Sequence, residues 1–282
     1  MAVTSGPSAP RNDLQPENYR FLQDYIYRES GIVIDSDKHY LLEARLLPIA
    51  RQQRIGTLND LCALLRATGS ANGLRRQVVE AMTTHETLWF RDPGQYDALR
   101  DKVLPDLLAK RQHLKRLRMW SAASSSGQEA YSLAIMLLEM NLGDWNIEII
   151  GTDLSEQILD KARQGRYLQI EVNRGLPVAS LVKYFNRSGL DWQLNDKIRS
   201  MVRFQKFDLR DDMRSLGSFD VIFCRNVLIY FDHETKRKIL TRLYAALQKG
   251  GCLLLGGAET TLNLVDDFER VAFGSAVLYR VP

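Results

Sequence analysis

Arg116-Leu-Arg-Met-Trp-Ser-Ala-Ala-Ser-Ser-Ser-Gly-Gln-Glu-Ala-Tyr-Ser132 runs through an apolar helical stretch to Ile147-Glu-Ile-Ile-Gly-Thr-Asp153. An apolar strand, a loop of small residues, an amphipathic helix and a second apolar strand follow one another. That pattern is a βαβ unit, which builds a parallel sheet with a crossover helix. Ligands of such sheets sit at the carboxyl ends of the strands, where the strand order switches. A loop of Ala, Ser and Gly lets a ligand approach the backbone closely. An acid ending the second strand suits the two hydroxyls of a ribose. The stretch therefore reads as a nucleoside-cofactor site. No G-x-G-x-x-G is present, so a pyrophosphate at the helix N-terminus is not expected. A nucleoside without phosphates, such as S-adenosylmethionine, needs no such turn.

Composition sets the outer bounds. The chain has 282 residues, 45% hydrophobic and 26% charged, and a formal net charge of +4. These values are ordinary for a folded protein long enough for two domains. The charge is too small to argue for nucleic acid by itself. Cys62, Cys224 and Cys252 lie far apart and form no C-x-x-C pair. With no leader-like start, a reduced cytoplasmic setting is expected. No apolar run has the length of a membrane span. Four scattered histidines give no metal-ligand spacing, so no metal is expected.

Upstream of the βαβ unit the periodicity is helical. Residues 1–15 hold Ser, Gly, Pro and Asn without apolar spacing and are expected to be a disordered tail. Tyr19, Leu22, Ile26 and Tyr27 mark a first helix that Ser30-Gly31 ends. A second is expected over about Lys38–Arg54, kinked or broken at Pro48. It carries Arg45, Arg51 and Arg54 with no acid among residues 45–54, a candidate docking face for an acidic helical partner. Further helices fit Leu58–Thr68 and Gly73–Met82. Residues 16–82 thus form a small all-helical domain. Residues 83–95 form a linker in which Trp89 and Phe90 either plug an interface or line a site. Tyr96–Leu114 reads as one helix leading into the first strand.

Downstream, the α/β pattern covers 96–282 with an interruption at about 166–200. That insertion reads as a helical turn and a short hairpin. Val202–Leu209 is the expected third strand, ending near Asp208. Val221–Cys224 is apolar throughout, as in a strand buried on both faces, and Arg225-Asn226 breaks the run at its end. Two polar groups placed there need partners, which a ligand would supply. A helix over Glu234–Gln248, a strand over Cys252–Leu255 and an antiparallel pair, Phe268–Phe273 with Ala276–Arg280, close the chain.

Assembled, the chain resembles the chemotaxis-receptor glutamate methyltransferases, the CheR family. Three segments carry the resemblance: Thr83-Thr-His-Glu-Thr-Leu-Trp-Phe-Arg91, Trp120–Ser132 and Phe219-Asp-Val-Ile-Phe-Cys-Arg-Asn-Val-Leu-Ile-Tyr-Phe231. It spans about residues 15–282. The resemblance implies a class I S-adenosylmethionine-dependent methyltransferase: a Rossmann-like doubly wound sheet, a helical N-terminal domain and a small inserted β-subdomain. It implies cofactor contacts at Thr87 and Arg91, and at His85, where the family often has Asn. It implies Glu129 at the methionine amino end, Asp153 at the ribose, Asp208 and Leu209 on the adenine side, and Arg225 with Asn226 as the last cofactor pair. Arg225 and Tyr230 match residues beside the reacting methyl.

The implied reaction esterifies receptor glutamates and leaves S-adenosylhomocysteine. The implied partners are the cytoplasmic helical domains of methyl-accepting chemotaxis receptors, bound by a monomer that neither enters the membrane nor binds nucleic acid. Some relatives hold a receptor's C-terminal pentapeptide on the inserted β-subdomain. Here the insertion, around Asn186 to Ser200, looks short, so the tether is expected to be dispensable. Two other readings share the fold. A nucleic-acid methyltransferase would carry Asn/Asp-Pro-Pro-Tyr/Phe after the fourth strand, whereas Arg225-Asn-Val-Leu-Ile-Tyr230 has no proline. A non-catalytic sensor of the methyl donor would keep Glu129 and Asp153 without needing Arg225 and Tyr230 together.

Overall fold

A computed structural model describes residues 14–67 and 72–282. The expected tail at 1–15 lies outside the described residues except for Leu14 and Gln15, and so does Thr68. The chain divides into two compact units, Met1–Thr84 and His85–Pro282.

The first unit holds helices α1 (Pro16–Ser30), α2 (His39–Gln52), α3 (Leu58–Ala67) and α4 (Asn72–Met82). Gly31 ends α1 in the left-handed region, φ 75°, its N–H bonding the Tyr27 carbonyl. Leu22, Ile26, Leu42, Leu46, Leu61 and Val78 are fully buried between the helices. The break allowed for at Pro48 does not occur: Pro48 sits exposed inside α2, while Leu46 and Ala50 are buried on either side of it. The helix stops two residues short of Arg54, because Arg54 turns left-handed, φ 58°. The Ile55 N–H then reaches back to the Ala50 carbonyl at 2.7 Å and closes the end.

The second unit opens with α5 (Pro93–Ala98), a π-helical turn over Leu99–Val103 and α6 (Leu104–Arg111). The single helix expected there is widened at the π turn, where Pro105 lacks the N–H that would bond back. Then follow β1 (Arg116–Ala122), α7 (Gln128–Glu139), β2 (Asn146–Asp153) and α8 (Glu156–Gln164). The insertion comprises β3 (Arg166–Leu168), α9 (Gln169–Val172), α10 (Val178–Tyr184), β4 (Phe185–Ser188), β5 (Asp191–Leu194) and α11 (Asp196–Arg199). It is a separate three-stranded antiparallel sheet in the order β3-β5-β4, richer than a lone hairpin. The chain closes with β6 (Val202–Lys206), β7 (Phe219–Cys224), α12 (His233–Ala246), β8 (Leu247–Leu255), β9 (Glu269–Phe273) and β10 (Ala276–Arg280).

The main sheet runs β6-β2-β1-β7-β8-β10-β9. Its first five strands are parallel, and β10 and β9 pair antiparallel. Strand order reverses between β1 and β7, which makes their carboxyl ends the ligand position of a doubly wound fold. Both faces are covered. Met119, Ile149, Val221 and Phe223 pack with α7 on one side, while Trp120, Ile150, Ile222 and Cys224 pack with α12 on the other. Near-continuous apolar strands follow from burial on two faces. β8 begins at Leu247 rather than Cys252, at the expense of the expected helix, because Leu247 is buried in register with Phe219.

Among the described residues, no helix is long and apolar enough to cross a membrane.

Candidate functional site

The loop after β1 is unusual in its backbone. Ala123, Ser125 and Gly127 all have positive φ, 61°, 51° and 93°. For Ala and Ser that conformation costs energy, and such strain gathers at functional sites. Gly127 is required here: a Cβ would lie 3.0 Å from Ala162 Cβ and from the Phe204 ring. The loop is held from several sides. The Ser124 N–H donates to the Thr152 carbonyl at 2.7 Å. The Tyr167 hydroxyl of β3 donates to the Ser126 carbonyl at 2.8 Å. The Ser125 hydroxyl donates to the His85 carbonyl at 2.9 Å.

Asp153 ends β2 beside this loop and is 7% exposed. Its carboxylate accepts from the Ser125 N–H at 2.9 Å and the Ser155 N–H at 3.1 Å. Burial pushes its pKa up, and the Ser155, Ser125 and Leu154 amides and the nearby His85 pull back. Lone pairs remain on both oxygens for further donors, as a ribose diol requires.

Glu129 lies in the first turn of α7, where an acid is favoured by the helix dipole. It accepts from the Ser121 hydroxyl at 2.7 Å and from Arg225 Nη1 at 3.3 Å. Burial raises its pKa, and Arg225, Ser121 and Arg91 act against the rise. The Arg225 side chain, 1% exposed, also donates through Nη2 to the Arg91 carbonyl at 2.8 Å and to the Asp92 carboxylate. Desolvation works against its charge, but Glu129, Tyr96 and Asp92 raise its pKa overall. Arg225 therefore binds the segment before α5 to the end of β7. Asp92 and Ser121 belong to this network too, and nothing in their local sequence marks them for it.

The remaining expected residues fall into place unevenly. Asn226 follows Arg225 in the left-handed region, φ 58°. Tyr230 is half-buried on a single 3-10 turn, Leu228–Tyr230, in the same loop. Thr87 and Arg91 are half-buried on the segment between His85 and α5. Leu209 is buried under the sheet. Asp208 is already forked by Arg210, with Nη2 to Oδ2 at 2.7 Å. Trp89 resolves to a plug within this unit: it is 1% exposed and meets the rings of Tyr167 and Phe185 edge-on at 5.0 and 5.4 Å. Phe90 is anchored through its N–H to the Ser132 hydroxyl at 3.0 Å.

Arg45 departs from the docking face expected for it. Its guanidinium donates to the carbonyls of Ala81, Met82 and Thr83 at 3.3, 2.8 and 3.0 Å, and so closes the end of α4. A helix end leaves carbonyls without intrahelical donors, and an arginine satisfies them. Arg51 and Arg54 are exposed.

Whether these residues suit an adenosyl sulfonium can be tested on their unmet polar atoms. Ser124 Oγ, Asn226 Oδ1 and Arg225 Nε are buried with no hydrogen-bond partner. They lie at the carboxyl ends of β1 and β7, at the switch in strand order. Buried polar atoms left unpaired are costly, so a ligand with donors and acceptors fits there. Asp153 and Glu129 add two carboxylates for a ribose and an ammonium.

Comparison with known proteins agrees with this geometry. The family described as "CheR methyltransferase, SAM binding domain" matches residues 85–277. The family described as "CheR methyltransferase, all-alpha domain" matches residues 17–83. The chain is similar to Chemotaxis protein methyltransferase 1 of Pseudomonas aeruginosa, with 42% identity over 93% of this chain and 97% of that protein. It is similar to Chemotaxis protein methyltransferase Cher2 of Pseudomonas putida, with 40% identity over 91% and 94%. It is also similar to Chemotaxis protein methyltransferase 1 of Vibrio cholerae, with 37% identity over 95% and 98%.

Proposed function

The chain belongs to the CheR methyltransferase family, and from that premise we propose that it esterifies glutamate side chains of methyl-accepting chemotaxis receptors. The cofactor is S-adenosylmethionine, and it supplies a methyl group already activated on a sulfonium. The observation that carries the reading is the joined network of Asp92, Glu129 and Arg225, together with the buried Asp153 at the end of β2.

The chain's own residues have a limited task. A substrate carboxylate, with an ordinary pKa of ~4.3, is already a nucleophile near neutral pH. No proton need be removed, so no general base is required. The carboxylate oxygen forms the new C–O bond as the C–S bond breaks, leaving S-adenosylhomocysteine. Asp153 accepts the ribose hydroxyls and Glu129 the methionine ammonium. Arg91, Thr87 and His85 line the same site from the segment before α5. Asp208 and Leu209 bound the adenine side. Arg225 braces Glu129 and Asp92, and with Asn226 and Tyr230 sets where the methyl and the incoming carboxylate meet. Catalysis then comes from in-line positioning and exclusion of water.

The receptor surface is acidic and helical in this reading, and exposed Arg51 and Arg54 face it as a monomer's docking charges. The work is done in the cytoplasm. A receptor-tail pentapeptide is dispensable in this reading, and tight capture of such a peptide on the three-stranded inserted sheet would contradict that point. The deciding experiment is transfer of labelled methyl to purified receptor cytoplasmic fragments. The expected result is label released by mild base, as from an ester. Label that survives base, or that goes to RNA instead, rejects the reading.

A further inference from the structure

Glu259 holds the loop that carries Asn226 and Tyr230, although it lies on a different strand connection. Its Oε2 accepts from the Asn226 N–H at 2.7 Å and from the Gly256 N–H at 2.7 Å. Its Oε1 accepts from the Val227 N–H at 3.0 Å and the Leu228 N–H at 2.8 Å. Three successive amides beginning at a left-handed residue form a concave anion site. Such a site ordinarily takes a ligand anion. Here a carboxylate of the same chain fills it. The fourth amide, from Gly256, comes from the end of β8, so the carboxylate ties β8 to β7 beyond both strands.

The fit leaves little slack. A Cβ at Gly256 would lie 2.7 Å from Asn226 Nδ2 and 2.8 Å from Glu259 Oε2. A side chain at Gly256 would therefore have to displace the ends of Asn226 and Glu259 where the two loops meet. The Glu259 N–H turns back to the Gly256 carbonyl at 2.9 Å, which aims the side chain at the cluster. Methyl transfer itself makes no direct use of Glu259.

We infer that Glu259 is a positioning residue for methyl transfer: its carboxylate, filling the amide nest at 226–228 and bridging to Gly256, sets Asn226 and Tyr230 against the cofactor and the incoming carboxylate. The inference rests on the methyltransferase reading of the site. Glutamine at 259 keeps the shape but not the chemistry. One amide oxygen can serve two N–H groups, and its NH2 then confronts the other two. The nest is left half satisfied, and the loop relaxes away from β8.

The test uses the full chain and the Glu259→Gln variant. Three quantities are read: calorimetric affinity for S-adenosylhomocysteine, kcat and KM for label transfer to receptor fragments, and amide exchange at 226–228 and 256. In the unaltered protein these four amides are expected to exchange slowly, although three of them lie outside any helix or strand ladder. In Glu259→Gln they are expected to speed up while amides of β1 and β2 do not. Affinity for S-adenosylhomocysteine is expected to weaken by about tenfold, as for one cofactor hydrogen bond lost when the loop shifts. kcat is expected to fall by about 100-fold, as for a reacting group displaced by an ångström, with KM for the fragment little changed. Glu259→Asp keeps the charge on a shorter arm and is expected to regain part of kcat.

Wild-type affinity and kcat in Glu259→Gln overturn the inference. Fast exchange of the four amides in the unaltered protein also overturns it, and that measurement stands even where the variant does not fold. If the unaltered protein transfers no methyl to receptor fragments, the proposed substrate fails, while the affinity and exchange data still decide on Glu259.

Discussion

Arg225 and Glu129 form a buried ion pair, Nη1 to Oε2 at 3.3 Å, with side chains 1% and 13% exposed. It links the end of β7 to the first turn of α7, and Asp92 joins it from the segment before α5. Burying two charges is justified energetically only when each partner satisfies the other, so neither residue is independent of its mate.

Removing one partner leaves the other charge stranded. Arg225→Met is expected to lower stability by about 3 kcal/mol, as for a broken buried pair. The double variant Arg225→Met/Glu129→Gln is expected to recover much of that loss. Neither variant is expected to transfer methyl. Urea unfolding beside the label-transfer assay reads both; equal stability of the single and double variants contradicts the coupling.

Asp153 and Glu129 are expected to make affinity and stability respond to pH in opposite directions. Burial raises both above their ordinary values of 3.8 and 4.5. An acid whose native pKa is raised favours the folded state most when protonated. That contribution is complete below about pH 4 and is lost as pH rises through the native values. A ribose or an ammonium needs the ionised form. S-adenosylhomocysteine affinity is therefore expected to weaken on acidification while the pH is still above 4.5, earlier than ordinary carboxylates titrate. Asp153→Ala removes two acceptors and is expected to cost about 100-fold in affinity. Calorimetry across this range checks both, and an affinity independent of pH down to the ordinary values would count against Asp153 and Glu129 as cofactor ligands.

Arg45, Arg51 and Arg54 separate into two kinds. Arg45→Ala removes donors from the α4 carbonyls and is expected to cost about 1–2 kcal/mol of stability. Arg51→Ala with Arg54→Ala is expected to change stability by less than about 0.5 kcal/mol. It should raise KM for receptor fragments, most strongly at low salt, because exposed charges are screened. Identical salt dependence in all variants would remove Arg51 and Arg54 from docking.

Gly175 has φ +95°, and a Cβ there would lie 2.1 Å from the Trp89 carbonyl oxygen. The Trp89 N–H bonds the Arg174 carbonyl at 3.1 Å, so this close approach seats the plug against the inserted sheet. Gly175→Ala is expected to destabilise by roughly 2 kcal/mol or more and to speed amide exchange at Trp89. A variant as stable as the parent would show that the two segments separate without cost.

Strand and helix spacing is a local property, and it was legible. Val221–Cys224 is apolar on both faces because both faces are covered, and Asp153 stands where the run of apolar residues ends. The position of Asp153 at the carboxyl end of β2, next to β1, follows from the βαβ pattern alone. Boundaries were less legible where tertiary packing competes with local preference, as at Leu247, which leaves a helix for a place beside Phe219. Arg45 reads as a surface charge in the sequence because nothing within its own helix shows that α4 ends against it.

The order of residues is enough to specify a doubly wound sheet preceded by helices and to put acids at strand ends, since period and burial are written in neighbouring residues. Which polar groups meet is settled in three dimensions. Arg225 reaches Glu129 across 96 positions of chain and Asp92 across 133, and the Glu259 carboxylate finds amides more than 30 positions away. Such partners are chosen by the packing of strands and loops, where an unpaired buried charge or N–H is too costly to leave.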